Sequence, residues 1–226
     1  MESPKIFVSK FENIRCFVRK CGHIDTNVGF IENTEAKEAV IIDPATGSYQ
    51  ASRQIFSPET KIVAVMFTHG HWDHIGDAHI FKKNGGKTFA HSLDKFWIEK
   101  PELMEIFASI AETFMACEVD VEVKDNDSFT INGWLDVNCR WVPGHASGDL
   151  SIYLKQLGCV FTGDTLFRGC IGRSDLPGGN QGLLISGIRE KILPLPDETI
   201  VIPGHGDLST IGHEKINNQF LFARYL

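Results

Sequence analysis

The chain has 226 residues, of which 42% are hydrophobic and 23% charged, and its 22 basic and 29 acidic residues give a formal net charge of −7. A chain of this length and composition can bury a sizeable core, which excludes a disordered or fibrous protein. The negative balance argues against nucleic acid as a partner, because a dense basic face is what attracts a phosphate backbone.

The N-terminal segment MESPKIFVSK has none of the features of a secretory signal, and no apolar run in the chain is long enough to span a bilayer. The cysteines show no CxxC pairing, which is typical of reduced and mostly buried thiols. They are Cys16, Cys21, Cys117, Cys139, Cys159 and Cys170. We therefore expect a cytoplasmic protein with no disulfide framework and no membrane partner.

The first part of the chain is predicted to begin with strands and to continue with alternating helices and strands. Residues 14–20 and 26–32 alternate as strands do, and EAVIID runs apolar up to the turn at Asp43-Pro44. The predicted elements that follow are a helix at 49–56, a strand at 62–67, a helix at 75–83 and a strand at 87–91.

The segment PELMEIFASIAETFMA, residues 101–116, is predicted to form a helix. Pro101 suits the first turn, and Glu102 favours the positive end of the helix dipole. Several apolar side chains would share one face, which we expect to pack in the core: Leu103, Ile106, Phe107, Ile110 and Phe114.

The second part of the chain is predicted to contain consecutive antiparallel strands joined by tight turns. The segments are EVDVEV, SFTI, WLDVNCRWV, DLSIYL and CVFT, followed by a helix at 183–192, the strand TIVIP and a helix at 211–222. Strands and helices thus occur twice over, which favours mixed sheets covered by helices. We expect one domain over residues 1–226, with a seam between its halves near 118–127.

Four segments share a pattern in which an apolar run is followed by small or turn residues and then by side chains that can bind metal. They are VMFTHGHWDH, RWVPGHAS, VFTGDT and IVIPGH. If these runs are strands lying side by side in the same sense, their ends meet at one rim. The side chains expected there are His69, His71, Asp73, His74, His145, Asp164 and His205.

Imidazole and carboxylate groups are the usual ligands of zinc and related ions, and seven of them exceed what one tetrahedral ion needs. The sequence therefore predicts two divalent metal ions, with zinc expected and iron or manganese as alternatives. Asp164 would bridge them, because ions in two-metal hydrolytic sites lie about 3.5–4 Å apart. The other six would divide into two sets: His69, His71 and His145, and Asp73, His74 and His205. We assign catalysis to Asp73 and Asp164.

Two divalent ions, two carboxylates and one hydroxide leave a net charge of about +1, so such a site should accept an anionic or anion-forming substrate. The ions would lower the pKa of water and polarise a carbonyl group. The chemistry expected is hydrolysis by a metal-bound hydroxide.

THGHWDH, followed by PGH, GDT and PGH, resembles the complete metal-ligand set of the metallo-β-lactamase superfamily, and the resemblance covers nearly the whole chain. It implies an α/β (α+β) fold, a four-layer αβ/βα sandwich of two mixed β-sheets flanked by helices, with the metals at one edge. The segments TNVGFIE, AVIIDPA, FTGDTLFRGCIGRSDLPGG and VIPGHGDLSTIG resemble the short form of the glyoxalase II branch, the hydroxyacylglutathione hydrolases. That branch cleaves thioesters such as S-lactoylglutathione, and the resemblance gives the ligand roles to the same seven residues.

Three features depart from the glyoxalase II pattern, and all concern glutathione recognition. Full-length members have a helical C-terminal domain that supplies basic contacts to glutathione, whereas 21 residues follow His205 here. Arg173 falls where the family has a basic residue near the glutathione carboxylate, but Asp175 replaces the expected tyrosine. Trp141 stands four residues before His145, where many relatives have histidine.

Arg168 and Arg173 follow the bridging aspartate and are the candidate substrate contacts, since arginine suits bidentate recognition of a carboxylate. The structural alternative is that an arginine here pairs with Asp175 or caps a loop. Cys170 is expected to be a buried thiol, because a metal hydroxide leaves no need for a cysteine nucleophile.

The leading hypothesis is a dinuclear hydrolase that acts on a small anionic thioester. The alternatives are a persulfide dioxygenase, which would use a single iron and a subset of these ligands, and another hydrolase of the same fold. A nucleic-acid-processing enzyme is disfavoured by the acidic balance. The oligomeric state is left open.

Overall fold

Two β-sheets stacked on each other, with helices on their outer sides, form the αβ/βα sandwich that the resemblance implies. The computed structural model describes residues 5–8, 13–103 and 114–222. One cluster of buried apolar side chains lies between the sheets, and two others pack the sheets against helices. The predicted fold class is confirmed.

The first sheet has seven strands, which follow the chain in order across the sheet. They are β1 (Lys5–Val8), β2 (Ile14–Cys21), β3 (Thr26–Asn33), β4 (Glu38–Ile42), β5 (Lys61–Met66), β6 (Lys87–His91) and β7 (Val121–Val123). Strands β1 to β4 pair antiparallel, whereas β4, β5, β6 and β7 are parallel neighbours. Parallel pairing sends the carboxyl ends of β4, β5 and β6 to the same edge.

The second sheet has six strands in the order β15-β14-β11-β10-β9-β8. They are β8 (Ser128–Ile131), β9 (Leu135–Trp141), β10 (Leu150–Leu154), β11 (Cys159–Gly163), β14 (Ile200–Pro203) and β15 (Ser209–Thr210). All neighbours are antiparallel except β11 and β14, which run parallel. A separate hairpin, formed by β12 (Leu166–Phe167) and β13 (Cys170–Ile171), follows β11.

The pattern of the segment 118–123 predicts the first strand of the antiparallel series, and this prediction is wrong. Strand β7 pairs parallel with β6 at the edge of the first sheet. The backbone nitrogen and the hydroxyl of Thr88 both donate to Oδ2 of Asp120 at 2.9 Å, which fixes β7 beside β6. The chain then passes to the second sheet between Val123 and Ser128.

Six α-helices of the described ranges lie outside the sheets or at the edge where the loops carrying the predicted ligands meet. They are α1 (Ser48–Ile55), α2 (Trp72–Ile75), α3 (Ala78–Lys83), α4 (Ser92–Glu99), α5 (Gln181–Gly187) and α6 (Ile211–Asn217). A π-helical turn at Ile188–Ile192 extends α5, and 3₁₀ turns lie at Pro101–Leu103, Lys155–Leu157 and Gln219–Leu221. No helix in these ranges is long and apolar enough to cross a membrane.

The helix expected at 75–83 begins three residues later, as α3 at Ala78, and a separate short helix, α2, precedes it at Trp72–Ile75. The chain leaves the helical conformation at Asp77, whereas Gly76 keeps helical dihedral angles and packs so closely on Thr46 that a Cβ there would lie 2.6 Å from the Thr46 backbone nitrogen. Asp77 then accepts a 2.8 Å hydrogen bond from the backbone of Tyr49, which ties this turn to α1.

Other helix predictions need correction. Helix α4 was not expected, because its N-cap is the ring of His91 instead of one of the usual small polar residues. The helix expected at 211–222 ends at Asn217 and is followed by the turn at Gln219–Leu221. Of the helix expected at 101–116, residues 104–113 lie outside the described residues, and the first three residues form a 3₁₀ turn.

The two sheets lie close together where Gly29 of β3 faces Phe161 of β11. A Cβ built at Gly29 would lie 2.5 Å from an atom of the Phe161 ring. Strand β3 is buried along its whole length, as expected for a strand covered on both faces. The two sheets are therefore closely packed between β3 and β11.

Candidate metal centre

The loops that follow β5, β9, β11 and β14 meet at one edge of the sandwich, where backbone hydrogen bonds join the two sheets. Leu150 donates to the carbonyl of Thr68 at 2.7 Å, and Asn27 donates to the carbonyl of Gly204 at 2.7 Å. Within the second sheet, Gly204 donates to the carbonyl of Gly163 at 2.8 Å. The positions of the predicted ligand loops are therefore fixed by main-chain contacts.

His69, His71 and His145 form a first group, which we call the histidine group. One ring nitrogen from each lies within 4.8 Å of the others. The ring centroids are 4.6 Å apart for His69 and His71, and 4.7 Å apart for His71 and His145. Nδ1 of His71 lies within hydrogen-bond distance of Nε2 of His145, at 2.9 Å, so ring nitrogens from different loops converge on one region.

Asp73, His74 and His205 form a second group, which we call the aspartate group. Oδ2 of Asp73 lies 3.2 Å from Nε2 of His74 and 3.0 Å from Nε2 of His205. The three donor atoms satisfy the same 4.8 Å criterion as the histidine group. The structure thus brings together the six side chains in the two sets that the sequence predicts.

The carboxylate of Asp164 lies between the two groups. Its Oδ1 is 3.4 Å from Nε2 of His74 and 3.7 Å from Nε2 of His205, in the aspartate group. Its Oδ2 is 3.6 Å from Nε2 of His145, in the histidine group. One oxygen therefore faces each group, which is the arrangement that a bridging ligand requires.

The ring orientation of four histidines is fixed by a partner on Nδ1. Carbonyl oxygens accept from His145 (Arg173 O, 2.9 Å) and from His205 (Ile24 O, 3.1 Å). The Thr68 hydroxyl, which itself donates to Asp43, lies 3.1 Å from Nδ1 of His69. Asp43 is the partner of His74, at 2.9 Å. A neutral ring that donates from Nδ1 has its lone pair on Nε2, which is how metal-binding histidines are oriented.

The orphaned polar atoms of the site provide a test of whether a metal fits. Among the described residues, Nε2 of His69, Nε2 of His74 and Oδ1 of Asp164 are buried without a hydrogen-bond partner. Buried polar atoms rarely lack partners, and these three all face the space shared by the two groups. A divalent ion would satisfy them, and the nitrogen and carboxylate donors suit zinc, iron or manganese.

The two groups differ in their charge without metal. Burial and the neighbouring His74 hold the pKa of His69 well below its usual range. Burial, followed by the effect of His145, lowers the pKa of His71 to about 4. Both rings are therefore neutral at neutral pH and ready to donate to a metal ion.

In the aspartate group the carboxylates reverse this effect. Burial lowers the pKa of His74, but Asp73 and Asp43 outweigh it and raise that pKa well above its usual range. Burial also lowers the pKa of His205, but the hydrogen bond to Asp73 and the charge of Asp164 outweigh it and raise that pKa above its usual value. The pKa of Asp73 is lowered in spite of its burial, because His74 and His205 lie beside it. Without metal, this group holds protons that an ion would have to displace.

Three buried aspartates that the sequence did not identify support the ligand loops. Asp43 accepts from the backbone nitrogen of Thr68 at 2.7 Å in addition to its contact with His74. Asp94 accepts from the backbone nitrogens of Gly70 and Gly148 at 2.8 and 2.7 Å. Asp149 accepts from the backbone nitrogen of His145 at 2.9 Å. Asp43 follows the apolar run EAVII and so repeats the ligand-strand pattern, whereas Asp94 and Asp149 carry no such signal.

The candidate substrate contacts lie on the loop after Asp164. Arg168 is exposed at the turn of the β12–β13 hairpin. Glu214 of α6 holds that turn by accepting from the backbone nitrogen of Gly169 at 2.9 Å.

Cys170 is exposed, so the expectation of a buried thiol at this position is wrong. Hairpin pairing with the short strand β12 leaves its side chain on the outer face.

The backbone carbonyl of Arg173 contacts His145 of the histidine group, but the Arg173 side chain is exposed and paired with Asp175.

Trp141 does not occupy a ligand position. Its ring stacks on His91 and donates from Nε1 to the carbonyl of Ser147 at 2.9 Å, which supports the loop after His145.

Comparisons with known proteins agree with this geometry. A sequence model of the metallo-beta-lactamase superfamily matches residues 22–205. Hydroxyacylglutathione hydrolase GloC of Haemophilus influenzae is 36% identical over 199 residues, which are 84% of this chain and 90% of that protein. The crystal structure of BLEG-1 B3 metallo-beta-lactamase is 34% identical with a TM-score of 0.82, covering 90% of this chain and 98% of its own. TTHA1623, crystallised in a di-iron-bound form, is 29% identical with a TM-score of 0.76, covering 91% and 100%.

Proposed function

The chain belongs to the metallo-β-lactamase superfamily of metallo-hydrolases, and we propose that it hydrolyses thioesters with the help of two divalent metal ions. The observation that carries the two-ion proposal is the position of Asp164, with one oxygen toward each group of donors. The similarity to GloC, whose name specifies a hydroxyacylglutathione substrate, supports a thioester as the substrate. S-lactoylglutathione is therefore the first compound to assay.

In this proposal the histidine group holds one ion and the aspartate group holds the other, with Asp164 shared between them. Zinc is the expected metal, and the donor set also accommodates iron, as in the di-iron form of TTHA1623. When bound, the ions would supply hydroxide from water at neutral pH and polarise the carbonyl group of the substrate.

The protein side chains fix the positions of the donor atoms and set the charge of the site. Nδ1 contacts hold His69, His74, His145 and His205 with their Nε2 atoms toward the centre, so no reorganisation is needed when the substrate enters. Asp164 is ionised at neutral pH, because the neighbouring His74 lowers its pKa in spite of burial. Hydrolysis forms a bond between the water oxygen and the carbonyl carbon and breaks the carbon–sulfur bond, which releases a carboxylic acid and a thiol.

The substrate we propose is a small anionic thioester or one that forms an anion during the reaction, since two cations and two carboxylates leave positive charge at the centre. We place the reaction in the cytoplasm in this proposal, because all six cysteines are unpaired thiols.

The test is to measure metal content and thiol release with the same preparation. We expect two divalent ions per chain and release of thiol from S-lactoylglutathione, abolished by a chelator and restored by added zinc or manganese. Failure of the fully loaded protein to hydrolyse any member of a thioester panel would refute the proposal.

Oxygen uptake with glutathione persulfide should be followed in parallel. One iron per chain with rapid oxygen uptake would instead identify a persulfide dioxygenase. The complete aspartate group favours the hydrolase, because an enzyme with a single iron needs only a subset of these ligands.

A further inference from the structure

The guanidinium group of Arg173 is already paired within the chain. Its Nε donates to Oδ1 of Asp175 at 2.7 Å, and Nη2 donates to Oδ2 at 2.7 Å. These two parallel bonds form the fork-to-fork arrangement in which arginine also binds carboxylate ligands. One of the edges through which Arg173 could bind a substrate carboxylate with two hydrogen bonds is therefore occupied by Asp175.

This pair lies at the margin of the metal centre. The backbone carbonyl of Arg173 accepts from Nδ1 of His145 at 2.9 Å, so the residue is tied directly to the histidine group. The preceding residue is packed against the same loops, since a Cβ at Gly172 would lie 3.2 Å from Cβ of His145. The two side chains are exposed, at 60% for Arg173 and 68% for Asp175, and are open to a bound molecule.

The charge of the pair decides what it can recognise. Asp175 is ionised over the whole neutral range, because its hydrogen bonds with Arg173 lower its pKa to about 2. A ligand carboxylate would have to displace Asp175 or lie close to its negative charge. A neutral amide meets no such repulsion, and its N–H and C=O groups match the carboxylate acceptors and the remaining guanidinium donors of the pair.

We propose that Asp175 is a specificity-determining residue which, by occupying Arg173, selects thioesters whose thiol carrier presents a neutral amide here over those that present a carboxylate. This inference rests on the proposed thioesterase function and names the class of carrier. Asp175 itself takes no part in bond cleavage.

The test compares two thioesters with the same acyl group, one of N-acetylcysteamine and one of 3-mercaptopropionate, on the metal-loaded protein. We expect the wild-type protein to have the lower KM for the N-acetylcysteamine thioester. Asp175→Asn should lower the KM for the 3-mercaptopropionate thioester about threefold to fivefold, the range of one exposed ion pair, with a smaller change in kcat. The KM for the neutral thioester should stay within about twofold.

A double-mutant cycle separates this role from a general effect of charge. In a chain that already carries Arg173→Gln, Asp175→Asn should no longer improve the KM for the carboxylate thioester. Asp197→Asn is the control for loss of an exposed ion pair, because Asp197 is 69% exposed and pairs with Lys215 at 2.6 Å through one contact that involves none of the proposed metal ligands. It should leave the selectivity of the protein unchanged.

The outcomes distinguish the two levels of the proposal. If the loaded wild-type protein hydrolyses neither thioester, the proposed function fails and the inference fails with it. If it hydrolyses both but Asp175→Asn leaves the ratio of the two KM values unchanged, or Asp197→Asn shifts it equally, the thioesterase stands and the role of Asp175 is refuted.

Discussion

Oδ2 of Asp43 lies 2.9 Å from Nδ1 of His74, and this contact determines which ring nitrogen of His74 faces Asp73 and Asp164. The same oxygen accepts the hydroxyl of Thr68 at 2.7 Å, and that hydroxyl lies 3.1 Å from Nδ1 of His69. Asp43 thus orients one histidine of each group, although it faces neither proposed ion.

Asp43→Asn should weaken metal binding while preserving the side-chain shape. An amide group in place of one carboxylate oxygen removes the negative partner of His74, and loss of such a partner typically lowers metal affinity about 10-fold to 100-fold. Competition with a chromophoric chelator would measure the affinity. The control is Asp136→Asn, which changes an exposed carboxylate bound to Thr130. Unchanged metal affinity in a folded Asp43→Asn protein would show that the contact does not tune the site.

The two groups should release different numbers of protons when they bind metal. Histidine must be neutral to act as a ligand, and the raised pKa values of His74 and His205 mean that these rings keep their protons to a higher pH than an ordinary histidine does. The lowered pKa values of His69 and His71 mean that these rings hold no protons at neutral pH. Affinity of the aspartate group should therefore fall as the pH decreases through the neutral range, whereas protonation of His71 begins to compete only near pH 4.

Calorimetric titrations at pH 7 in two buffers of different ionisation enthalpy would count these protons. A His71→Ala variant isolates the aspartate group, and a His205→Ala variant isolates the histidine group. We expect the His71→Ala variant, in which the aspartate group binds the ion, to release about one to two protons per ion. The His205→Ala variant, in which the histidine group binds the ion, should release fewer than about one. Equal release from the two variants, or the reverse order, would contradict the assigned electrostatics.

Gly29→Ala should destabilise the contact between the two sheets. The added methyl group would lie 2.5 Å from an atom of the buried Phe161 ring, so side chains or backbone must shift. Overpacking of this kind typically lowers the free energy of unfolding by about 1–3 kcal/mol, which denaturant titration would measure. Gly182→Ala in α5 is the matched control, because its Cβ would meet only the side-chain oxygen of Asn180, at 3.4 Å. An equally stable Gly29→Ala protein would show that the sheets are not packed at this distance.

The sequence is informative about the site because each candidate ligand lies in a segment that directly follows an apolar strand. The structure brings the seven side chains together at one edge, while their role as metal ligands stays a prediction. Asp94 could not be found in this way, since it lies on α4 and acts by accepting backbone hydrogen bonds from Gly70 and Gly148. Such a contact depends on how distant loops pack and leaves no pattern along the chain.

The sequence also predicts where the strands lie along the chain more closely than it predicts which strands pair with each other. The positions of β5, β6, β8 and β9 follow from apolar or strand-like segments and from turns, but the choice of sheet for β7 depends on the contact between Thr88 and Asp120, which are 32 residues apart. The break between α2 and α3 falls at Asp77, whose carboxylate accepts from the backbone nitrogen of Tyr49, a tertiary contact that helix periodicity does not record.

We propose that Asp164 bridges two ions, one held by each group, and the proposed hydrolysis depends on this arrangement. The most direct measurement is a crystal structure of the metal-loaded protein with anomalous data collected at the absorption edge of the bound metal, together with the metal content of Asp164→Ala. We predict two anomalous peaks about 3.5–4 Å apart with Asp164 between them, and loss of at least one ion in the variant. A single peak in the fully loaded protein, or two ions retained at normal turnover without the Asp164 carboxylate, would contradict it.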